Sequence, residues 1–386
     1  MRNESTPQLR IASLDQFRGY TVLGMFFVNF VGRFEAIPEI FKHHNTYCSY
    51  ADTIMPQFFF AVGFAYRMTL LRRLGSDGPW SAYLRFVRRC LGLLLLGLVI
   101  HHLDVRNNLW TDLRELGVGG FLKQAFQRNF FQTLTHIGVT SLWVMPVIAA
   151  RPWVRVAFAC GSAGLHVVLS HWFYYDWVMN RPGIDGGPLG FLTWTVPLLV
   201  GSLAYDLVAA GNSKRSVNRL IAWSCVLMLL GYALSCVNLL TPPGHVSIGP
   251  QPPASDSEPS TLNSQPSTFL IEPPFVPPSR PINMWTMSQR AGSVSYLIFG
   301  AGFSLAVFAL FVIACDMRSL SLGIFTTFGS NALAGYIIHD LVANAIKPFA
   351  PKDSPLWFAL AAFGMFLGIT YLLVRYLERN RIYLRL

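Results

Sequence analysis

Charged side chains are scarce in this chain: 13% of its 386 residues are Asp, Glu, Lys or Arg, against roughly 25% in soluble globular proteins. So little charge does not suit a water-facing surface and suits one that faces lipid. No polar stretch is long enough for a second globular domain, so residues 1–386 read as one membrane domain. The six cysteines form no C-x-x-C pair and mostly sit inside apolar runs, which argues against a thiolate metal site or a disulfide frame; no metal is expected. Also missing are G-x-S-x-G, a P-loop, H-E-x-x-H and a G-x-G-x-x-G turn after a strand. No repeat of 20–50 residues is visible, and no inverted pair of broken apolar segments of the kind many transporters carry. The net charge of +11 has no aromatic-interleaved basic patch behind it, so no nucleic acid is expected. The polar first ten residues lack a cleavage site behind an apolar core. The first helix is therefore expected to act as its own insertion signal, in a bacterial inner (cytoplasmic) membrane.

What the sequence does have is apolar length. Runs of about 20 residues, enough to cross a bilayer, recur from end to end. They predict an all-α, polytopic bundle of about ten transmembrane helices, near 16–33, 52–71, 86–103, 134–150, 153–174, 189–208, 218–240, 293–315, 321–345 and 356–376. Basic residues follow alternate loops. Arg67, Arg72, Arg73, Arg85, Arg88 and Arg89 lie between the second and third runs, Lys214, Arg215 and Arg219 between the sixth and seventh, and Arg375, Arg379, Arg381 and Arg385 after the last. The opposite loops are mixed or acidic. By the positive-inside rule both termini are expected in the cytoplasm. Segment 241–281 holds half of the 24 prolines and many serines, a composition too poor in apolar residues to order itself; it reads as a flexible extracytoplasmic loop.

Ionisable groups inside apolar runs are costly, and their default reading is functional or pairing. On the expected topology Asp15 and Arg18 fall at the cytoplasmic end of the first helix, where an i, i+3 ion pair is the simplest role. Asn29 lies in that helix's outer half. His43, His44 and Asp52 fall outside or at the outer start of the second helix. His101, His102, His136, His171, His339 and Asp340 also lie toward the outer face. This layering points to chemistry in the outer half of the bilayer, although each histidine taken singly is more often an anchor or a packing residue.

Four segments, in order, carry a resemblance. They are RIASLDQFRGYTVLGMFFVNF at 10–30, FKHHNTYCSYADTIMPQFFFAVG at 41–63, PINMWTMSQRAG at 281–292 and FGSNALAGYIIHD at 328–340. Together they resemble the heparan-α-glucosaminide N-acetyltransferase family, multispanning membrane enzymes that transfer an acetyl group from acetyl-CoA to a sugar. The resemblance spans nearly the whole chain. It implies a catalytic histidine at His43 or His44, the family's helix-one asparagine at Asn29, and supporting roles for Asp15, Arg18, Asp52, Asn331, Tyr336 and His339. The chain departs from the pattern around His43, where a Trp and a Gly are missing. It departs again at LTHIG, 134–138, where His136 stands in place of an arginine.

On that reading acetyl-CoA is the donor substrate, and a sugar or envelope glycan near the extracytoplasmic side is the acceptor. The lipid bilayer is the other partner, and a homo-oligomer is compatible. His43 or His44 would act as general base. Asn29 would donate to the oxyanion, and Asp52 or Asp340 would orient the imidazole. Arg72, Arg73, Arg85, Arg88 and Arg89 would form a basic mouth for the CoA phosphates, against the plain alternative that they only anchor the helices. Two other functions compete. One is a transporter or flippase for an acyl or sugar carrier, which the intramembrane charges would fit. The other is a haem protein using His101, His136 and His339, which leaves the four motifs unexplained.

Overall fold

In the computed structural model, the structure describes residues 11–44, 46–104, 109–126, 129–181, 183–211, 213–240 and 270–384. Among these the chain is all-α. In order, the helices are α1 (Ala12–Val31), α2 (Ile54–Ser76), α3 (Pro79–His101), α4 (Trp110–Ala125), α5 (Thr133–Val144), α6 (Pro152–Leu169), α7 (Tyr175–Met179), α8 (Phe191–Ala209), α9 (Ser213–Cys236), α10 (Val294–Phe311), α11 (Gly323–Ser330), α12 (Ala332–Ile346) and α13 (Leu356–Arg379). Prolines set several starts: Pro79 and Pro152 occupy the first turns of α3 and α6, and Pro355 precedes α13. A missing N–H costs nothing there.

Among the described residues six helical stretches are long and apolar enough to cross a membrane: Ala51–Ser76, Pro152–Met179, Gly187–Ala209, Ser213–Leu239, Val294–Met317 and Leu356–Arg379. The remaining expected crossings are less regular, for physical reasons. In α1 Asp15, Gln16, Arg18 and Asn29 interrupt the apolar sequence, and α3 carries Arg85, Arg88 and Arg89. The run expected at 134–150 is helical only to Val144, with Pro146 just beyond. The run expected at 321–345 is two helices, broken at Asn331 (φ −129°, ψ 44°).

α2 and α8 pack backbone to backbone. Ideal Cβ atoms placed on Gly63 and Gly201 would meet the carbonyl oxygens of Leu198 at 1.7 Å and Phe60 at 2.0 Å. Backbones that close are how small residues join helices where lipid supplies no hydrophobic drive. The obstructing atoms are backbone and cannot rotate away. Gly63→Ala is therefore expected to destabilise the protein by about 1–3 kcal/mol, read as a lower unfolding midpoint in detergent. Arg67 of α2 and Arg155 of α6 both bind Asp206 of α8, Arg67 Nε at 2.5 Å from Oδ1. Arg67 also donates to the Ile148 carbonyl at 2.7 Å and Arg155 to Ser202 Oγ at 2.8 Å.

An aromatic core joins α1 to α11 and α13, with Phe26 edge-on to Phe328 and Phe30 stacked on Phe366 at 4.6 Å. A second core centres on Trp194, stacked on Phe59 at 4.6 Å and edge-on to Tyr296. The outer surfaces of α9 and α13 are exposed and apolar, Leu229 and Leu372 among them, as lipid-facing helices should be. Of the Pro/Ser-rich segment, 241–269 lie outside the described residues. The remainder returns to the bundle: Tyr232 Oη donates to the Ile271 carbonyl at 2.6 Å.

Candidate active site

Asn29 sits two residues before the end of α1, on an exposed turn. A short turn, Glu39–Phe41, begins after Pro38, and the chain then extends through Lys42 into His43. The return to α2 is a compact S-x-x-D turn. Ser49 N–H donates to Asp52 Oδ2 at 2.9 Å, and the Ser49 hydroxyl lies 3.0 Å from the same oxygen and 2.7 Å from the Lys42 carbonyl. This is the reciprocal logic of a capping box, with an aspartate as the partner. Asp52 is fully buried, and Tyr296 of α10 donates to its carbonyl at 2.6 Å.

These local structures put three side chains in line. His43 Nδ1 is 2.8 Å from Asp52 Oδ1, and His43 Nε2 is 3.2 Å from Asn29 Oδ1. A buried carboxylate only accepts, so Nδ1 carries the proton and Nε2 of the neutral ring holds the lone pair. The Asn29 amide presents its NH2 to that lone pair in one flip and its oxygen to the imidazolium in the other. Burial lowers the His43 pKa, but the hydrogen bond and charge of Asp52, with a further contribution from Asp185, outweigh it and hold the pKa above its ordinary 6.5. The His43 side chain remains 45% exposed. It opens onto a cleft of about 470 Å³ lined by Val28, Asn29, Gly32, Glu39, Lys42, His43 and His44. The combination is a base whose tautomer is fixed from behind, with an amide beside its reactive nitrogen and room for a ligand in front.

The family model described as heparan-alpha-glucosaminide N-acetyltransferase, catalytic, matches residues 10–237. The chain belongs to this family. A search of curated proteins gives no match. The heparan-alpha-glucosaminide N-acetyltransferase family makes the chain a membrane transferase of glycan-modifying type, and the region matched contains Asn29, His43 and Asp52.

Other residues expected in the family site fall into distinct places. His44 turns away from Asn29 and Asp52: its Nε2 donates to the Glu39 carbonyl at 2.9 Å, and its ring stacks on Tyr47 at 4.2 Å. His101, Tyr336, His339 and Asp340 form a second group. Tyr336 Oη is 3.1 Å from His101 Nε2, His339 Nδ1 donates to the Tyr336 carbonyl at 2.5 Å, and His339 Nε2 lies 3.4 Å from Asp340. Asp340 thus lies beside His339, not His43. Asn331 is engaged elsewhere, donating to the Ile382 carbonyl at 2.8 Å and accepting from Leu384 N–H at 3.2 Å. At the far end of α1, Asp15 and Arg89 both act electrostatically on Arg18, and Arg73 acts on Arg89. Arg73 also lies over the Phe86 ring, Arg85 pairs with Asp77 at 2.9 Å, and Arg72 and Arg88 are exposed. Between the two ends Tyr20 meets Tyr50, oxygen to oxygen, at 2.9 Å.

Asp185 is the site residue that the sequence did not single out. Its side chain is buried, accepts from Gln289 Nε2 at 2.6 Å, and acts electrostatically on both His43 and Tyr336. The signal available was an aspartate before Gly186-Gly187, a turn in which all three residues have positive φ. His136 is buried, and its Nε2 has no hydrogen-bond partner among the described residues. Among the described residues no three His, Cys, Asp or Glu side chains gather as a metal site.

Proposed function

We propose that the protein is a membrane-bound acetyltransferase. It takes an acetyl group from cytoplasmic acetyl-CoA and places it on an amine or hydroxyl of a sugar or envelope glycan near the extracytoplasmic face. The observation that carries this reading is His43, held between buried Asp52 and Asn29 at the mouth of an open cleft, in a chain of this family.

His43 Nε2 takes the proton as the acceptor's nitrogen or oxygen attacks the thioester carbonyl. The Asn29 NH2 donates to the oxygen that becomes negative. Asp52 keeps the proton on Nδ1 and stabilises the imidazolium that forms, without itself being protonated. The C–S bond then breaks, and the imidazolium returns its proton to the departing CoA thiolate. Arg89, linked electrostatically to Arg18 on one side and Arg73 on the other, supplies with them a reason for anionic phosphates to bind at the other end. Arg72, Arg85 and Arg88 add to that basic mouth. The reading takes the chain as one domain of about ten crossings, with both termini in the cytoplasm of a bacterial cell.

The test is transfer of label from radioactive acetyl-CoA to a panel of amino sugars and envelope glycans, using the full chain in detergent. Labelled product and free CoA are expected. The rate is expected to fall as pH drops through the His43 pKa, above 6.5, because only the neutral ring accepts the proton. Asp52→Asn is expected to move that limb to lower pH. A wild-type protein that turns over no acetyl-CoA, yet moves an acceptor across proteoliposomes, would replace this reading with transport.

A further inference from the structure

Phe275 is a bulky residue at φ +74°, a backbone conformation that such side chains adopt only when their surroundings impose it. The surroundings here are specific. Its N–H donates to the Cys48 carbonyl at 3.0 Å. Its ring packs edge-on against Phe299 at 6.0 Å and Phe303 at 6.3 Å, on α10. The segment is tied down again by Tyr232 of α9, through the Ile271 carbonyl. The cleft left between this segment and Tyr47–Cys48 is only about 30 Å³, room for about one water. Cys48 directly precedes Ser49, whose N–H and hydroxyl hold the Asp52 carboxylate. Residues 271–278 lie beyond the region matched by the family, which ends at 237.

We propose that residues 271–278 are a strap that positions the His43–Asp52 pair, with Phe275 as its peg. The turn carrying Asp52 is then fixed from two sides. Tyr296 of α10 holds the Asp52 carbonyl from within the bundle, and Phe275, seated on the same helix, holds the Cys48 carbonyl from outside. Phe275 touches no reacting atom and acts through the turn. Without the peg the Cys48–Asp52 turn slackens, the 2.8 Å contact to His43 lengthens, and the imidazole loses both its orientation and the charge that stabilises its protonated form. The groups facing His43 whose charges then matter are Asp52, Asp185 and, at the cleft rim, Glu39, Lys42 and His44.

The strap's catalytic effect rests on the acetyltransferase reading, and its effect on His43 does not. The experiment therefore has two readouts on the full chain. The first is the pH dependence of diethylpyrocarbonate labelling at His43, followed by peptide mass mapping, which needs no substrate. The second is acetyl transfer, with kcat and KM for acetyl-CoA separated. Phe275→Ala is expected to lower the His43 labelling midpoint by about half a pH unit or more and kcat by about tenfold, with KM for acetyl-CoA unchanged. Phe275→Tyr, which keeps the ring, restores both. Tyr232→Phe removes only the anchoring hydroxyl and shifts both in the same direction by less, in a protein whose fold has no cavity to absorb. A lowered midpoint without acetyl transfer by wild type supports the strap and sinks the transferase reading. An unchanged midpoint in both Phe275→Ala and Tyr232→Phe overturns the strap.

Discussion

His43→Ala is expected to lower acetyl transfer by about 10²–10⁴-fold, the range in which a positioned acid–base group contributes. On the proposed mechanism the loss should fall on kcat, because the imidazole then works on the acceptor's proton, not on the grip for CoA. Asn29→Ala is expected to cost about 10²–10³-fold, as removal of one oxyanion donor does. The double variant should cost far less than the product, since Asn29 and His43 share one hydrogen-bonded line to Asp52 and groups acting as a unit are not additive. His44→Ala is the control. Its ring is occupied by the Glu39 carbonyl and Tyr47, and it should retain transfer within a few-fold. Single-turnover measurements with labelled acetyl-CoA check all four. An active His43→Ala protein with an inactive His44→Ala would reverse the assignment.

Asp206→Ala is expected to be the most damaging change outside the active site. Asp206 is the shared carboxylate of Arg67 and Arg155, and Arg155 is completely buried. Removing it leaves an uncompensated charge inside the protein, a loss of about 3–5 kcal/mol in comparable buried pairs. The expected result is a large drop in unfolding midpoint in detergent, or no folded protein at all. Asp77→Ala is the contrast: its partner Arg85 is 53% exposed, and solvent-screened pairs of that kind contribute little. Equal effects from the two substitutions would mean that burial does not set the strength of these ties.

The helical class was readable because lipid demands long apolar runs, and the sequence has them. The interruptions were not. Nothing local marks Asn331 as a break, since its side chain is consumed by backbone groups 51 and 53 residues away, in the last residues of the chain. The Arg67–Asp206 tie crosses 139 residues, and on the sequence Arg67 looked like one more basic residue beside a loop. Within the site, the types His, Asn and Asp and their order were legible through the motifs they sit in. Choosing between His43 and His44 was not, because both line the cleft and only the fold shows which ring reaches Asp52 and Asn29 and which turns to the Glu39 carbonyl. Asp185 stayed hidden because an acidic residue in a Gly-rich loop ordinarily meets water. Here the turn folds it inward onto Gln289.

The interlock of α2 with α8 has a mechanical meaning. Their backbones touch through Gly63 and Gly201, and Arg67 and Asp206 bolt the same two helices together with α6. Neither helix can slide or roll on the other without driving backbone into backbone. That makes them a chassis, and Asp52, at the head of α2, is mounted on it. Any movement that admits a ligand to the cleft must work against this fixed frame, and the largely exposed α4 is the helix least held by it. The enzyme can then breathe at its entrances while the carboxylate behind its histidine stays still.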